Sequence, residues 1–104
     1  MGDLERSILI AIVQLRGDGY AVTIANKASD LLKRSVSLGA VYGTVDRLEK
    51  KKFVASRLGD PTPERGGKPK RFYRIEAPGV EALNEDRERI SDAWAGISSV
   101  GEPA

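Results

Sequence analysis

One stretch of sequence decides the fold: Ser37-Leu38-Gly39-Ala40-Val41-Tyr42-Gly43-Thr44-Val45-Asp46-Arg47-Leu48-Glu49. Its apolar residues are spaced by three, four and three positions: Leu38, Val41, Val45 and Leu48. That spacing is typical of a helix with one buried face, and Ser37 is a favourable N-cap for its start. The opposite face carries small and charged residues: Gly39, Gly43, Asp46, Arg47 and Lys50. Tyr42 lies on the border of the apolar stripe, and we expect the helix to end near residues 51–52.

Two further helices precede this stretch. Apolar spacing predicts the first over residues 3–16, with Asp3 as its cap and a stripe wide enough to be buried on more than one side. A turn containing two glycines follows at residues 16–19. The second helix is predicted over roughly residues 22–33.

A hairpin and a last helix follow. Residues 53–58 and 71–75 alternate in the manner of strands, and the polar tip between them, residues 59–69, is rich in Gly and Pro. A helix is predicted from Pro78, a favoured first-turn residue, to about Ser98. Three helices followed by a two-stranded hairpin is the order of a winged helix-turn-helix. We therefore predict a mostly helical α+β fold, with the third helix as recognition helix and the hairpin as wing.

The last helix carries an a/d seam at spacings of three and four: Val80, Leu83, Arg87, Ile90, Trp94 and Ile97. A chain of 104 residues buries only a small core, so oligomerisation would add to its stability. The seam and the broad stripe of the first helix both suggest a further packing partner.

Composition excludes several functions. The chain has no Cys and no His, so it offers neither a disulfide framework nor the usual zinc ligands or acid–base residue, and we expect no catalytic site, metal or cofactor. No apolar run approaches the ~20 residues of a membrane span, and Asp3 and Glu5 precede the longest run, which is unlike a signal peptide. We expect a cytoplasmic protein.

The formal charge of +2 hides an uneven distribution. Residues 1–46 are neutral, residues 47–74 carry ten basic and three acidic groups, and residues 75–104 carry two basic and seven acidic groups. The basic block covers the end of the recognition helix and the wing, which indicates a polyanion-binding surface. An ordinary solvated charged surface is the alternative.

The recognition helix and the wing supply the candidate DNA contacts. Each of the two interior glycines of this helix lowers helix stability by ~1 kcal/mol relative to Ala. This cost favours a role in close packing or in close approach to the major groove over simple tolerance of glycine in the helix. The cations of the helix can reach base edges or phosphates, and the cations of the wing can neutralise phosphates or contact the minor groove. The alternative is that the cations of both elements are simply solvated. The residues concerned are Gly39, Tyr42, Gly43, Arg47, Lys50, Arg65, Lys68, Lys70 and Arg71.

The same residues resemble a known family. Residues 37–49 closely resemble the recognition-helix signature of the PadR family of transcriptional regulators, and residues 63–75 resemble its wing. Ala77-Pro78-Gly79 is similar to the motif that opens the family's C-terminal helix. The resemblance extends over roughly residues 3–95, and the short C-terminal region is similar to that of the compact subgroup.

The resemblance implies a homodimeric, usually repressing, transcription factor whose recognition helices enter successive major grooves of a pseudo-palindromic operator. It adds Ser37 to the DNA contacts, and it implies that the C-terminal helix packs on the partner's first helix. The expected interface residues are Leu4, Ile8, Leu83, Ile90, Trp94 and Ile97. The chain then divides into a winged domain at 1–76, a dimerisation helix at 77–98 and a disordered tail at 99–104.

A ligand is a further expectation. Some relatives bind small aromatic or cationic compounds at the dimer interface and then release DNA. Trp94, the only Trp, lies on the seam and can stack on a flat compound, and acids such as Asp86 would favour a cation. The alternative is that Trp94 simply fills the dimer core.

One other function stays open, a winged-helix module that binds a protein and no nucleic acid. The basic wing is the feature that distinguishes the two hypotheses. RNA binding lacks support because no aromatic pair is predicted on an exposed sheet.

Overall fold

The computed structural model describes residues 1–60, 68–97 and 100–101. Its elements follow the order α1 (Asp3–Gln14), α2 (Ala21–Leu32), α3 (Leu38–Lys50), β1 (Val54–Leu58), β2 (Arg71–Ile75) and α4 (Ala77–Ala95). The prediction of a mostly helical α+β winged helix-turn-helix is thereby confirmed. The predicted tail at 99–104 lies outside the described residues, apart from Val100 and Gly101.

The core lies where α1, α2 and α3 meet. Ile8, Leu9 and Ile12 of α1 are fully buried against Ile24 of α2 and Leu48 of α3. Burying side chains of this size contributes roughly 1.5–3 kcal/mol each. The small core therefore holds α3 in a fixed position and leaves its opposite face exposed.

The start of α1 differs from the prediction. Gly2 occupies the N-cap position and Asp3 is the first helical residue, with no side-chain cap. Asp3 instead accepts a hydrogen bond from Arg6 Nη1 at 2.7 Å. Its negative charge in the first turn still interacts favourably with the helix dipole.

The turn before α3 is fixed by Ser29. Its hydroxyl donates to the carbonyl of Ala25 at 2.7 Å and accepts from the amide of Val36 at 2.9 Å. Lys33 takes a left-handed conformation, with φ 57°, at the end of α2. These contacts turn the chain sharply and set the direction in which α3 begins.

The wing is a two-stranded antiparallel sheet in which Val54 pairs with Ile75 and Leu58 with Arg71. The loop between α1 and α2 joins this sheet, because the amide of Tyr73 donates to the carbonyl of Gly19 at 3.0 Å. A Cβ on Gly19 would lie 2.7 Å from Leu15 Cδ1 and 3.1 Å from Leu15 Cβ, so a larger residue there would require the leucine side chain to shift. The helical core and the wing are thus joined by backbone contacts.

The first turn of α4 packs closely on the segment before β1. A Cβ on Gly79 would lie 2.3 Å from the carbonyl oxygen of Phe53, which also accepts from the amide of Glu76 at 2.8 Å. Beyond Asp86, every residue of α4 is exposed. The radius of gyration is 16.3 Å, against about 13 Å for a compact chain of this size, so the chain is more extended than a compact domain.

No helix in the described part of the chain combines the length and apolarity that crossing a bilayer requires.

Candidate nucleic-acid interface

The outer face of α3 is open to solvent over its whole length. The helix begins as predicted: Ser37 is the N-cap, and its hydroxyl accepts from the amide of Ala40 at 3.1 Å. Tyr42 is 56% exposed, more than a position on the border of the core stripe suggests. Thr44, on the other border, is fully buried instead.

The two glycines of α3 have no packing role within the chain. A Cβ on Gly39 would lie 3.9 Å from its nearest neighbour, Ser37 Oγ, and one on Gly43 would lie 3.7 Å from Arg47 Nη1. Both distances are ordinary van der Waals contacts. Packing within the chain therefore does not explain the two glycines. Close approach to the major groove and simple tolerance of glycine remain as the two interpretations.

The two cations of α3 are held differently. Arg47 Nη2 donates to the buried Thr44 hydroxyl at 3.2 Å, which orients the guanidinium along the helix. Lys50 forms an exposed ion pair with Asp46 at 3.1 Å. Such exposed pairs contribute little and exchange readily for another anion. Both cations therefore remain available on the outer face.

A cleft of about 400 Å³ lies between the start of α2 and the segment that leads into β2, and α3 contributes Tyr42 to its lining. Helix residues on one side of it face the cations at the start of β2 on the other. Its lining includes Tyr20, Val22, Tyr42, Lys68, Lys70 and Arg71. Of the predicted contacts, the cleft brings together Tyr42, Lys68, Lys70 and Arg71. Ser37, Gly39, Gly43, Arg47 and Lys50 do not line it, and Arg65 lies outside the described residues.

The wing cations are ordered by neighbours that the sequence analysis missed. Lys70 Nζ lies 4.2 Å from the ring centroid of Tyr20, a cation–π contact. Arg71 Nη1 donates to Ser56 Oγ at 3.0 Å across the hairpin. The tyrosine lies in the loop before α2, and nothing in the local pattern signals that the wing returns to it. The contact of Arg71 with Ser56 could have been predicted, because the pairing of the two strands places them on neighbouring positions of the hairpin.

Part of the basic block is neutralised away from this cleft. Three of its cations form ion pairs with carboxylates: Lys51 with Glu5 at 2.9 Å, Arg57 with Asp18 at 3.5 Å and Arg74 with Glu76 at 3.2 Å. Within residues 1–60 and 68–97, no such pair involves Arg47, Lys68, Lys70 or Arg71. Arg47 of α3 and Lys68, Lys70 and Arg71 of the wing are thus not paired with a carboxylate among the described residues, and the same holds for Lys52 just after the end of α3.

The expected interface residues fall into three groups by exposure. Ile90, Trp94 and Ile97 are exposed, and Leu4 and Leu83 are partly buried. Ile8 has no exposed surface because it belongs to the core of its own chain, so its expected contact with a partner is corrected. A wide apolar stripe on α1 is needed because two helices, α2 and α3, pack against it.

Asp86 has a role that the sequence analysis did not identify. Its buried carboxylate accepts hydrogen bonds from Arg6 Nε, from Arg6 Nη2 at 3.2 Å and from Arg89 Nη2 at 2.9 Å. These hydrogen bonds, above all those from Arg6, lower the pKa of Asp86, and they raise the pKa of the Arg6 guanidinium. The carboxylate joins α4 to α1 and is not available to a cationic ligand.

The remaining acids of α4 lie away from Trp94. At about 100° per residue, Glu81, Glu85, Glu88 and Asp92 share an arc of about 60° on the side of the helix opposite Trp94. Within one chain, these acids are therefore not placed to attract a cationic ligand to Trp94.

A three-helix core with an exposed recognition helix and a basic wing defines the class of winged-helix DNA-binding proteins. A model of the PadR-like family of transcriptional regulators matches residues 8–85, which is most of the chain. The chain therefore belongs to the PadR-like family, as the sequence motifs predicted, and members of this family are transcriptional regulators.

Solved structures share the fold. A transcriptional regulator from Clostridium thermocellum is 20% identical, with a TM-score of 0.74 over 95% of this chain and 90% of that chain. A PadR family regulator from Eggerthella lenta is 22% identical, with a TM-score of 0.71 over 93% and 82%. A PadR-like regulator from Bacillus cereus is 26% identical, with a TM-score of 0.64 over 91% and 84%. No curated protein matches the chain.

Proposed function

We propose that this regulator is a cytoplasmic homodimeric repressor that binds a pseudo-palindromic sequence in double-stranded DNA. The observation that carries the proposal is the shared surface of α3 and the wing, where Tyr42 lies across one cleft from Lys68, Lys70 and Arg71. In this arrangement α3 can enter the major groove while the wing cations bind the phosphates that flank it.

Contacts on this surface divide by role. Arg47 is anchored to Thr44 and lies on the outer face of α3, where its guanidinium can donate two hydrogen bonds to a guanine edge. Ser37, Lys50, Lys68, Lys70 and Arg71 are proposed phosphate contacts that position the protein. Sequence preference then depends on the helix, and overall affinity depends on both.

The proposed dimer uses the exposed side of α4. Leu83, Ile90 and Trp94 lie within an arc of about 40° on this helix, next to a groove of about 380 Å³ between α1 and α4. Packing this side against α1 of a second copy would bury apolar surface that one chain leaves exposed. A two-fold dimer also spaces the recognition helices at about 34–36 Å, the repeat of successive major grooves.

The test compares two single substitutions in a gel-shift assay with duplexes selected by the protein from a random pool. Arg47→Ala should relax sequence preference, whereas Lys68→Ala should weaken binding to all sequences about equally. If both variants weaken binding to all sequences equally, the assignment of Arg47 to base recognition is wrong. Failure of the wild-type protein to retain any duplex would instead favour the protein-interaction module.

A ligand site at Trp94 forms the last part of the proposal. This side chain is 54% exposed in a single chain, so its ring is available to stack on a flat compound between two subunits. A flat aromatic dye should quench Trp94 fluorescence and lower DNA affinity at the same concentrations. Absence of quenching across a panel of neutral and cationic dyes would leave Trp94 as packing in the dimer.

A further inference from the structure

The N-terminal half of α3 exposes an apolar surface. This surface includes Leu38, whose spacing with Val41 and Val45 predicted that it is buried. Leu38 is 44% exposed and Tyr42 is 56% exposed, and the exposed glycines 39 and 43 lie beside them. Between residues 37 and 43, the side-chain hydrogen-bonding groups are the hydroxyls of Ser37 and Tyr42. The Ser37 hydroxyl is already engaged with the amide of Ala40.

The charged groups of α3 lie in its C-terminal half. Asp46 and Lys50 pair with each other there, and Arg47 is anchored to Thr44. The two halves of the face thus differ in chemistry. The C-terminal half can form hydrogen bonds to base edges, whereas the N-terminal half offers mainly apolar surface for van der Waals contact.

This division matters because the N-terminal residues of a recognition helix also contact base edges in the major groove. In the major groove, the apolar group that distinguishes one base from the others is the 5-methyl group of thymine. Gly39 and Gly43 place no side chain between the α3 backbone and the groove, so the backbone can approach these methyl groups closely.

We propose that the N-terminal half of α3 recognises thymine 5-methyl groups in the major groove through van der Waals contact with Leu38 and Tyr42. The inference rests on the proposed DNA-binding function and specifies what that surface reads. Since one buried methyl group changes binding by about fourfold, a half-site with two such contacts distinguishes thymine from uracil by about sixteenfold.

The test uses a duplex that the protein enriches from a random pool, in which each thymine in turn is replaced by deoxyuridine. This replacement removes only the methyl group and leaves base pairing intact. We expect a loss of about fourfold in affinity at one or more thymines of each half-site. Replacement of thymines outside the half-sites is the matched control and should have no effect.

Variants of Tyr42 assign the effect to the protein. Tyr42→Phe keeps the ring and should retain discrimination between thymine and uracil, whereas Tyr42→Ala should lose it at the contacted position. Tyr42 is exposed, so neither change disturbs the core. Equal affinity for every thymine and uracil duplex would overturn the inference while leaving the proposed function standing. Enrichment of no duplex from the pool would overturn both.

Discussion

At the scale of single residues, Asp86 holds two distant helices together. Its carboxylate binds Arg6 of α1 and Arg89 of α4 in a buried position. Asp86→Asn should lower the free energy of unfolding by about 1–3 kcal/mol at neutral pH, because charged hydrogen bonds are lost and Arg6 keeps only the exposed Asp3 as its anion. Thermal and urea unfolding measure the change, with the exposed Glu85→Gln as control.

The contribution of Asp86 has a defined pH dependence. Its pKa in the folded chain lies below the ordinary 3.8, so the stabilisation is complete above that value and is lost as the pH falls through the lowered pKa. The difference in stability between wild type and Asp86→Asn should therefore be constant from pH 5 to 7 and shrink below about pH 4. A difference that grew on acidification would contradict the assignment.

Gly43 separates stability from binding. Gly43→Ala should raise the free energy of unfolding by up to ~1 kcal/mol, because Ala favours the helix and meets no close neighbour. The same methyl group should weaken DNA binding, since it stands between the helix backbone and the groove. A variant that is more stable and binds DNA as well as wild type would show that the glycine has no role at the groove.

At the scale of elements, α4 is fixed to the core through its first turn. Gly79→Ala places a methyl group against the backbone of Phe53 and should cost about 1–3 kcal/mol, which is at least about 4 °C in Tm. Gly96→Ala is the matched control, because nothing lies within 4 Å of that position. Equal Tm values for the two variants would contradict the close contact.

The elements differ in how far the sequence predicts them. Helix α3 was predicted from the 3-4-3 spacing of Leu38 to Leu48 and from the Ser37 cap, because these are local properties of one amphipathic helix. The bond between Arg6 and Asp86 spans 80 residues and has no local signature. The cation–π contact between Tyr20 and Lys70 likewise depends on how the wing folds back. Local pattern thus predicted the candidate site but not the contacts that order it.

At the scale of the whole molecule, a single chain is elongated, at 62 × 28 × 20 Å, with α4 largely exposed. If the exposed side of α4 forms the dimer, Ile90→Asp should produce a monomer, because a charge would be buried in an apolar interface. Asp92→Lys changes a charge on the exposed side of the same helix opposite Trp94, and this variant should remain dimeric. Mass in solution measures both, and a dimeric Ile90→Asp variant would place the interface elsewhere.

The central claim is that this chain binds double-stranded DNA through the phosphate-contacting cations of α3 and the wing. The most direct measurement is the Kd for a selected duplex as a function of salt. With ~6–10 phosphates contacted per dimer, affinity should fall by ~10³–10⁵ between about 50 and 200 mM salt. A change of less than about tenfold over this range would contradict the claim, because it would leave these cations without a polyanion to bind.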